Sequence, residues 1–166
     1  IATVPLGIDE ATLSGGLERT TSRGVASAFL PAPVGQAGLR PKATWQFSVP
    51  HAGVYYVWAR YTTLDAKRVS QFWIDCDGDN QLQGADWRLR FPCTLTRHLN
   101  GVQPGEETWF TDKMATGWWA GPWDSVTLKP GSHTLSVEFE PTHAPNGPRL
   151  SAVYLSNDPS YRPPGF

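Results

Sequence analysis

Two stretches of this chain impose the same constraint. In Thr44–Tyr61, TWQFSVPHAGVYYVWARY, Trp45, Phe47 and Val49 alternate with polar partners; after Pro50–Gly53, Tyr55, Val57, Ala59 and Tyr61 resume the alternation. In Gly117–Glu140, GWWAGPWDSVTLKPGSHTLSVEFE, Leu135, Val137 and Phe139 alternate with Thr134, Ser136 and Glu138 after the Lys129–Ser132 segment. A period of two places successive side chains on opposite faces of a strand, one buried and one wet. Pro and Gly between two such runs predict turns joining neighbouring strands. The expected class is all-β.

Composition supports that class. The chain has 166 residues, enough for one domain with a real core. Only 17% of residues are charged, and 16 Gly with 15 Pro favour many short strands and turns over helices. Further strands are expected at Asp9–Leu13, Ala26–Leu30, Ser70–Asp75, Trp87–Phe91, Thr108–Thr111 and Arg149–Ser156. About eight to ten short strands mean a two-sheet antiparallel sandwich or a barrel. The first forty residues are the least regular, with a polar, Gly-containing run over Ser14–Gly24, and a polar loop over Leu99–Glu107 is expected between the Trp87–Phe91 and Thr108–Thr111 strands. Residues 1–156 are expected to form the domain and the Pro-rich 157–166 a tail or linker.

A net charge of −1 leaves no electrostatic footprint for nucleic acid or an anionic membrane, and no apolar run reaches membrane-spanning length. The opening IATVPLGIDE has neither a basic start nor a long apolar centre, so a processed or excised domain without a signal peptide is expected, and a monomer. Cys76 and Cys93 lack metal-type spacing. In a loop-rich β chain they predict a disulfide in an extracellular setting, closing a loop worth roughly 3 kcal/mol on the chain-entropy model. The alternative is a pair of buried thiols in a cytosolic protein.

Eight tryptophans are the oddity of the composition. Trp118, Trp119 and Trp123 crowd a Gly/Pro-rich segment ahead of a strand. Sugar rings present apolar C–H faces to aromatic platforms and hydroxyls to planar polar groups. The three indoles, with Asp124, Asn100 and Asn146 on expected loops, provide both kinds of group. The alternative is that one or two indoles plug the end of the sandwich. Tyr56, Trp58, Arg60 and Trp73 are a second aromatic set for an open sheet face, with burial against the first forty residues as the plainer account.

Asp75, Asp77, Asp79 and Asp86 stand at positions 1, 3, 5 and 12 of DCDGDNQLQGAD, a spacing that gathers oxygen ligands around calcium in an EF-hand loop. Asn80 replaces the usual glycine and tolerates the same left-handed backbone. The alternative is a solvated acidic turn after a strand. Catalytic signatures are missing: there is no G-x-S-x-G, H-E-x-x-H or Walker loop, and His51, His98, His133 and His143 have no ligand spacing. Nothing sets the separation of Glu106-Glu107 from Asp112 as an acid/base pair.

The segments GVYYVWARY, FWIDCDG, VTLKPGSHTLSVEF and RLSAVYLS, in this order, resemble the β-jelly-roll carbohydrate-binding modules of families six and thirty-five, over most of Glu10–Ser156. The resemblance implies a jelly-roll sandwich appended to a secreted glycoside hydrolase or polysaccharide lyase. It implies a structural calcium held by an acidic residue on the first strand, matched by Glu10, and by the last strand, where this chain has Ser151. It also implies a sugar site in loops at one end, with an aromatic shortly before the VTL-type strand, the region of Trp118, Trp119 and Trp123. The expected function is carbohydrate binding without catalysis. The alternatives are a structural or interaction β-domain of a larger secreted enzyme, and a small lyase or hydrolase.

Overall fold

The computed structural model describes residues 1–22, 24–32, 41–63, 71–77, 89–92, 108–110, 125–139 and 148–161. Within them the alternating runs become strands. In chain order these are β1 (Thr3–Gly7), a 3-10 turn (Ile8–Glu10), β2 (Thr12–Ser14), β3 (Glu18–Ser22), β4 (Val25–Phe29), β5 (Lys42–Val49) and β6 (Gly53–Thr63). Then come β7 (Gln71–Cys76), β8 (Leu89–Pro92), β9 (Thr108–Phe110), β10 (Ser125–Leu128), β11 (Gly131–Phe139) and β12 (Pro148–Ser156).

Two antiparallel sheets result, as the sandwich reading expects. A seven-stranded sheet runs β10-β6-β12-β4-β3, with β1 also on β12 and β9 also on β6; a five-stranded sheet runs β2-β5-β11-β7-β8. The core lies between them. Trp45, Ile74, Leu135 and Val137 from the smaller sheet meet Tyr55, Val57, Val126, Leu150 and Val153 from the larger. Trp45 is 2% exposed, and its indole N–H donates to the Gly7 carbonyl at 2.7 Å, tying β5 to the end of β1.

The expected hairpins are not hairpins. β5 pairs with β2 and β11, whereas β6 pairs with β9, β10 and β12. The Pro50–Gly53 turn therefore carries the chain from one sheet to the other. The Lys129–Pro130 turn does the same, since β10 lies on β6 and β11 on β5. Both crossings occur at one end, where Gly53 stands opposite Leu128 and Gly131 opposite Val49. Gly53 (φ +152°) and Gly131 (φ +114°) supply backbone conformations that L side chains rarely adopt. The Tyr55 hydroxyl donates to the His51 carbonyl at 2.8 Å and braces the first crossing. Alternation alone permits either outcome: a strand with one apolar face can pair sideways or stack face to face.

The N-terminal part is more regular than expected. Asp9–Leu13 is not one strand: Ile8, 1% exposed, anchors a 3-10 turn closed by the Ala11 N–H on the Ile8 carbonyl at 3.1 Å, and β2 follows. The polar 14–24 region contains β3, paired along its length with β4. Arg19 of β3 reaches back to the carbonyls of Ile8 and Ala11, so a charged residue fastens a strand that has no apolar alternation to announce it. At the other terminus, Asn157 is tied to the first residues of the chain. The Ala2 N–H donates to Asn157 Oδ1 at 2.6 Å, and the Asn157 N–H donates to the Ala2 carbonyl at 3.1 Å.

Replacing Trp45 tests this core. Trp45→Ala should cost about 3–5 kcal/mol, and Trp45→Phe less, because Phe keeps the aromatic bulk but strands the Gly7 carbonyl. Urea unfolding of both variants should rank them in that order; equal midpoints for Trp45→Ala and the parent would contradict the assigned packing.

Candidate functional site

Trp118, Trp119, Trp123 and Asp124 lie outside the described residues, as do Asn100 and Asn146. The strands on either side fix where their segment begins and ends. β9 is antiparallel to β6, with Phe110 opposite Ala59, and β10 is antiparallel to the same edge of β6, with Ser125 opposite Tyr56. β9 and β10 thus form two pieces of one sheet edge, interrupted by residues 111–124. Ala59 and Tyr56 are roughly 10 Å apart at about 3.3 Å per residue. Phe110 and Ser125, which flank that stretch of sequence, are therefore close together on this edge. Both flanking residues lie midway along β6, away from the end where the chain crosses between sheets.

Next to them lies the outer face of the seven-stranded sheet. Tyr55, Val57 and Ala59 belong to the core, so Tyr56, Trp58 and Arg60 project outward. Register sets Tyr154 opposite Trp58 and Ser156 opposite Tyr56, and Pro5 of β1 opposite Tyr154. Tyr161 stacks on Tyr154 with ring centroids 6.4 Å apart, and burial followed by the charge of Tyr154 pushes its phenol up. Trp58 is only 4% exposed, in line with the burial reading for this residue. Trp73 does not join the set, because it lies on β7 of the other sheet, opposite Glu138. Sequence reasoning missed Tyr154 and Tyr161, since only the β6–β12 register and the folded-back C-terminal residues bring them here.

Of the acidic turn, Asp75 and Asp77 are among the described residues. Asp77 directly follows β7 with φ +59°, a left-handed conformation that Asp tolerates better than most residues. Its Oδ1 accepts the Thr134 N–H at 2.7 Å, and its Oδ2 lies 2.6 Å from His133 Nδ1. The Asp77 N–H donates to the Thr134 carbonyl at 2.8 Å. His133 Nε2 faces the Lys129 carbonyl at 2.7 Å. A carboxylate and a carbonyl are both acceptors, so the doubly protonated imidazole is the form that satisfies both contacts. The carboxylate of Asp77 is thus a clamp between β7 and the turn into β11. Asp75 faces outward opposite Ser136, Glu10 is exposed on the 3-10 turn against the other sheet, and Asp79 and Asp86 lie outside the described residues. Among the described residues no group of three or more His, Cys, Asp or Glu side chains gathers for a metal.

The cysteine pairing meets a distance problem. Cys76 is fully buried at the end of β7. β8 pairs with β7 so that Leu89 faces Ile74 and Pro92 faces Gln71. Pro92, one peptide before Cys93, is therefore aligned roughly 16 Å along β7 from Cys76 at about 3.3 Å per residue. A disulfide needs Cα atoms within about 7 Å. Cys93 itself lies outside the described residues, but the register of its neighbour argues against the expected Cys76–Cys93 bridge.

No protein-family model matches this chain, and no curated protein matches its sequence. Solved structures match its shape. The C-terminal family 6 carbohydrate-binding module of LamC, a marine laminarinase of Zobellia galactanivorans, superposes with a TM-score of 0.60 at 11% identity, covering 93% of this chain and 99% of that one. A family 35 carbohydrate-binding module of Clostridium thermocellum gives 0.59 at 13% identity, covering 93% and 98%. The fold is the β-jelly roll of these modules. The isomalto-dextranase of Arthrobacter globiformis T6, complexed with panose, gives 0.62 at 16% identity over 92% of this chain but 23% of its own. The chain therefore spans about a quarter of that enzyme's length and nearly the whole of each isolated module.

Two measurements follow from this geometry. Asp77→Ala removes the acceptor for the Thr134 N–H and the partner of His133, and puts Ala at a positive φ. It should destabilise the fold by about 1–3 kcal/mol, and Asp77→Asn, which tolerates the backbone, by less; equal unfolding midpoints for all three proteins would remove the clamp. Thiol titration of unfolded, unreduced protein should find two thiols per chain on the β7–β8 register, whereas a count of zero would restore the bridge.

Proposed function

We propose that this chain is a non-catalytic carbohydrate-binding module whose ligand is held by the tryptophan segment. The supporting observation is the placement of that segment: both its ends are pinned by β9 and β10 to one edge of a jelly-roll sheet. A loop rooted this way can hold an indole outward at small entropic cost, because only two side-chain torsions must be frozen. Trp118, Trp119 and Trp123 supply platforms for the apolar faces of sugar rings, and Asp124, Asn100 and Asn146 accept or donate to hydroxyls. The module is secreted and joined to a polysaccharide-degrading enzyme, as a family 35 module is to the GH26 β-(1,4)-mannanase of Podospora anserina, to which this chain is similar in shape. Any calcium in the acidic turn draws on Asp75, Asp79 and Asp86 around an Asp77 already engaged by His133.

A second surface has an observation of its own. Tyr56, Tyr154 and Tyr161 line the outer face beside the root of the tryptophan segment, with two of the rings stacked.

A glycan array should first yield a ligand. With that ligand, single Ala variants of Trp118, Trp119 and Trp123 should weaken binding by about ten- to a hundredfold for at least one ring, at an unchanged melting temperature. If all three bind like the parent while Tyr154→Ala loses affinity, the sheet face is the site. If the array is blank, the chain is a structural or interaction domain. EDTA should lower the melting temperature if the turn holds calcium, and an unchanged melting curve removes the metal.

A further inference from the structure

The resemblance to carbohydrate-binding modules implies a structural calcium between an acidic residue at the first strand and the last strand. The 3-10 turn Ile8–Glu10 stands in the right place for it, beside β12 and β4. Its donor set does not suit the ion. Asp9 and Glu10 are both exposed, and the last-strand position holds the neutral Ser151, 6% exposed. Calcium asks for about six to eight oxygen ligands, several of them carboxylate. That leaves the backbone carbonyls of the turn, and these are already engaged.

Arg19 engages two of them. Its Nε donates to the Ile8 carbonyl at 3.3 Å, and its Nη2 donates to the Ala11 carbonyl. The Ile8 oxygen also accepts the Ala11 N–H at 3.1 Å, so both of its lone pairs are used. The Gly7 carbonyl, just before the turn, accepts the Trp45 indole N–H at 2.7 Å. Register explains how Arg19 reaches the turn. It stands opposite Ala28 of β4, whose side chain lies in the core. Cross-strand partners share a face, so Arg19 leaves β3 on the side of the sheet that carries the core.

A guanidinium and a metal ion answer the same need, since each brings positive charge to carbonyl oxygens. The guanidinium is permanently charged and offers several N–H groups in a fixed fork. Hydrogen bonds from an ionised donor are stronger than neutral ones. A divalent cation entering the same carbonyls would meet that charge at close range and be repelled.

We propose that Arg19 takes the place of the structural calcium at this turn, so that the chain supplies the cation itself and the turn needs no metal. Being covalently attached, this cation is not removed by a chelator. Calcium in the acidic turn after β7 is independent of this substitution, and so is the glycan site.

Calcium chloride titrated into chelator-stripped protein, followed through backbone amide resonances, reads the two turns separately. The Gly7–Thr12 amides should hold their positions throughout, whatever happens at Asp75–Asp77. A saturable shift over Gly7–Thr12 that Glu10→Gln abolishes puts calcium at the 3-10 turn and overturns the substitution. With chelator present, Arg19→Ala should lower the folding equilibrium constant by about tenfold. Arg19→Lys, which keeps the cation without the fork, should recover part of that loss. Arg19→Gln, which keeps a donor without the charge, should not. An Arg19→Ala or Arg19→Gln unfolding midpoint equal to the parent's means that the guanidinium holds nothing, and the proposal fails even if the titration is silent. Should Arg19→Ala not fold, Arg19→Gln against Arg19→Lys makes the same comparison: a higher midpoint for Lys supports the built-in cation, and an equal or lower one removes it.

Discussion

Trp45 occupies the place where the demands of this fold meet. Its indole is buried between the sheets, and its N–H ends on the Gly7 carbonyl, so one side chain joins the five-stranded sheet to a strand of the seven-stranded one. Around it the inward rows of β5, β11 and β7 face those of β6, β10 and β12. Neither sheet could keep its apolar face from water alone, since each has only one other surface to cover it. The crossings through Pro50–Gly53 and Lys129–Pro130 deliver alternate stretches of chain to opposite sheets, and the jelly-roll order follows.

That arrangement makes β6 the axis of the functional side. It is paired along one flank by β12 and along the other by β10 and β9 in succession. An edge interrupted in its middle is a way to root a long segment on rigid backbone, because the scaffold on both sides is already fixed by ladder bonds. It also removes a continuous unpaired edge, which would otherwise invite another chain to add a strand. The outer face of the same sheet carries Tyr56, Arg60, Tyr154 and Arg149, aromatic and cationic side chains where a merely solvated face would have small polar ones. On the other sheet the outer rows are Lys42, Thr44, Gln46 and Ser48 beside Glu138, Ser136, Thr134 and Ser132, cross-linked by the Thr134 hydroxyl on Gln46 Oε1 at 2.9 Å.

Asp77 shows how a turn carboxylate serves the strands around it. Carboxylates spaced along a turn can converge on a cation, but the same oxygens also satisfy backbone N–H groups left open where a strand ends. Here the nearby donors belong to Thr134 and His133. These contacts of Asp77 depend on β11 lying beside β7, a pairing between residues far apart in sequence.

The sequence by itself determined the strands, because alternation is a local property: one face must be apolar wherever a sheet covers a core. β5, β6, β7, β11 and β12 stand close to where Trp45, Tyr55, Ile74, Leu135 and Val153 set the period. Where a strand is held by something other than its own apolar face, the signal fails, as in β3, whose Arg19 is fastened to carbonyls of another segment. Sequence also marked the aromatic segment before β10, since indoles crowded among Gly and Pro fit no single strand face. It could not say which strands are neighbours. A turn between two alternating runs looks the same whether the runs pair in one sheet or stack across two, because the period is identical in both. Only the tertiary structure turned the expected hairpins into crossings, set Trp73 and Trp58 on different sheets, brought Tyr154 and Tyr161 together, and aligned Pro92 far from Cys76. Each of those outcomes is fixed by the long-range register of ladders, and register is chosen by how whole faces pack.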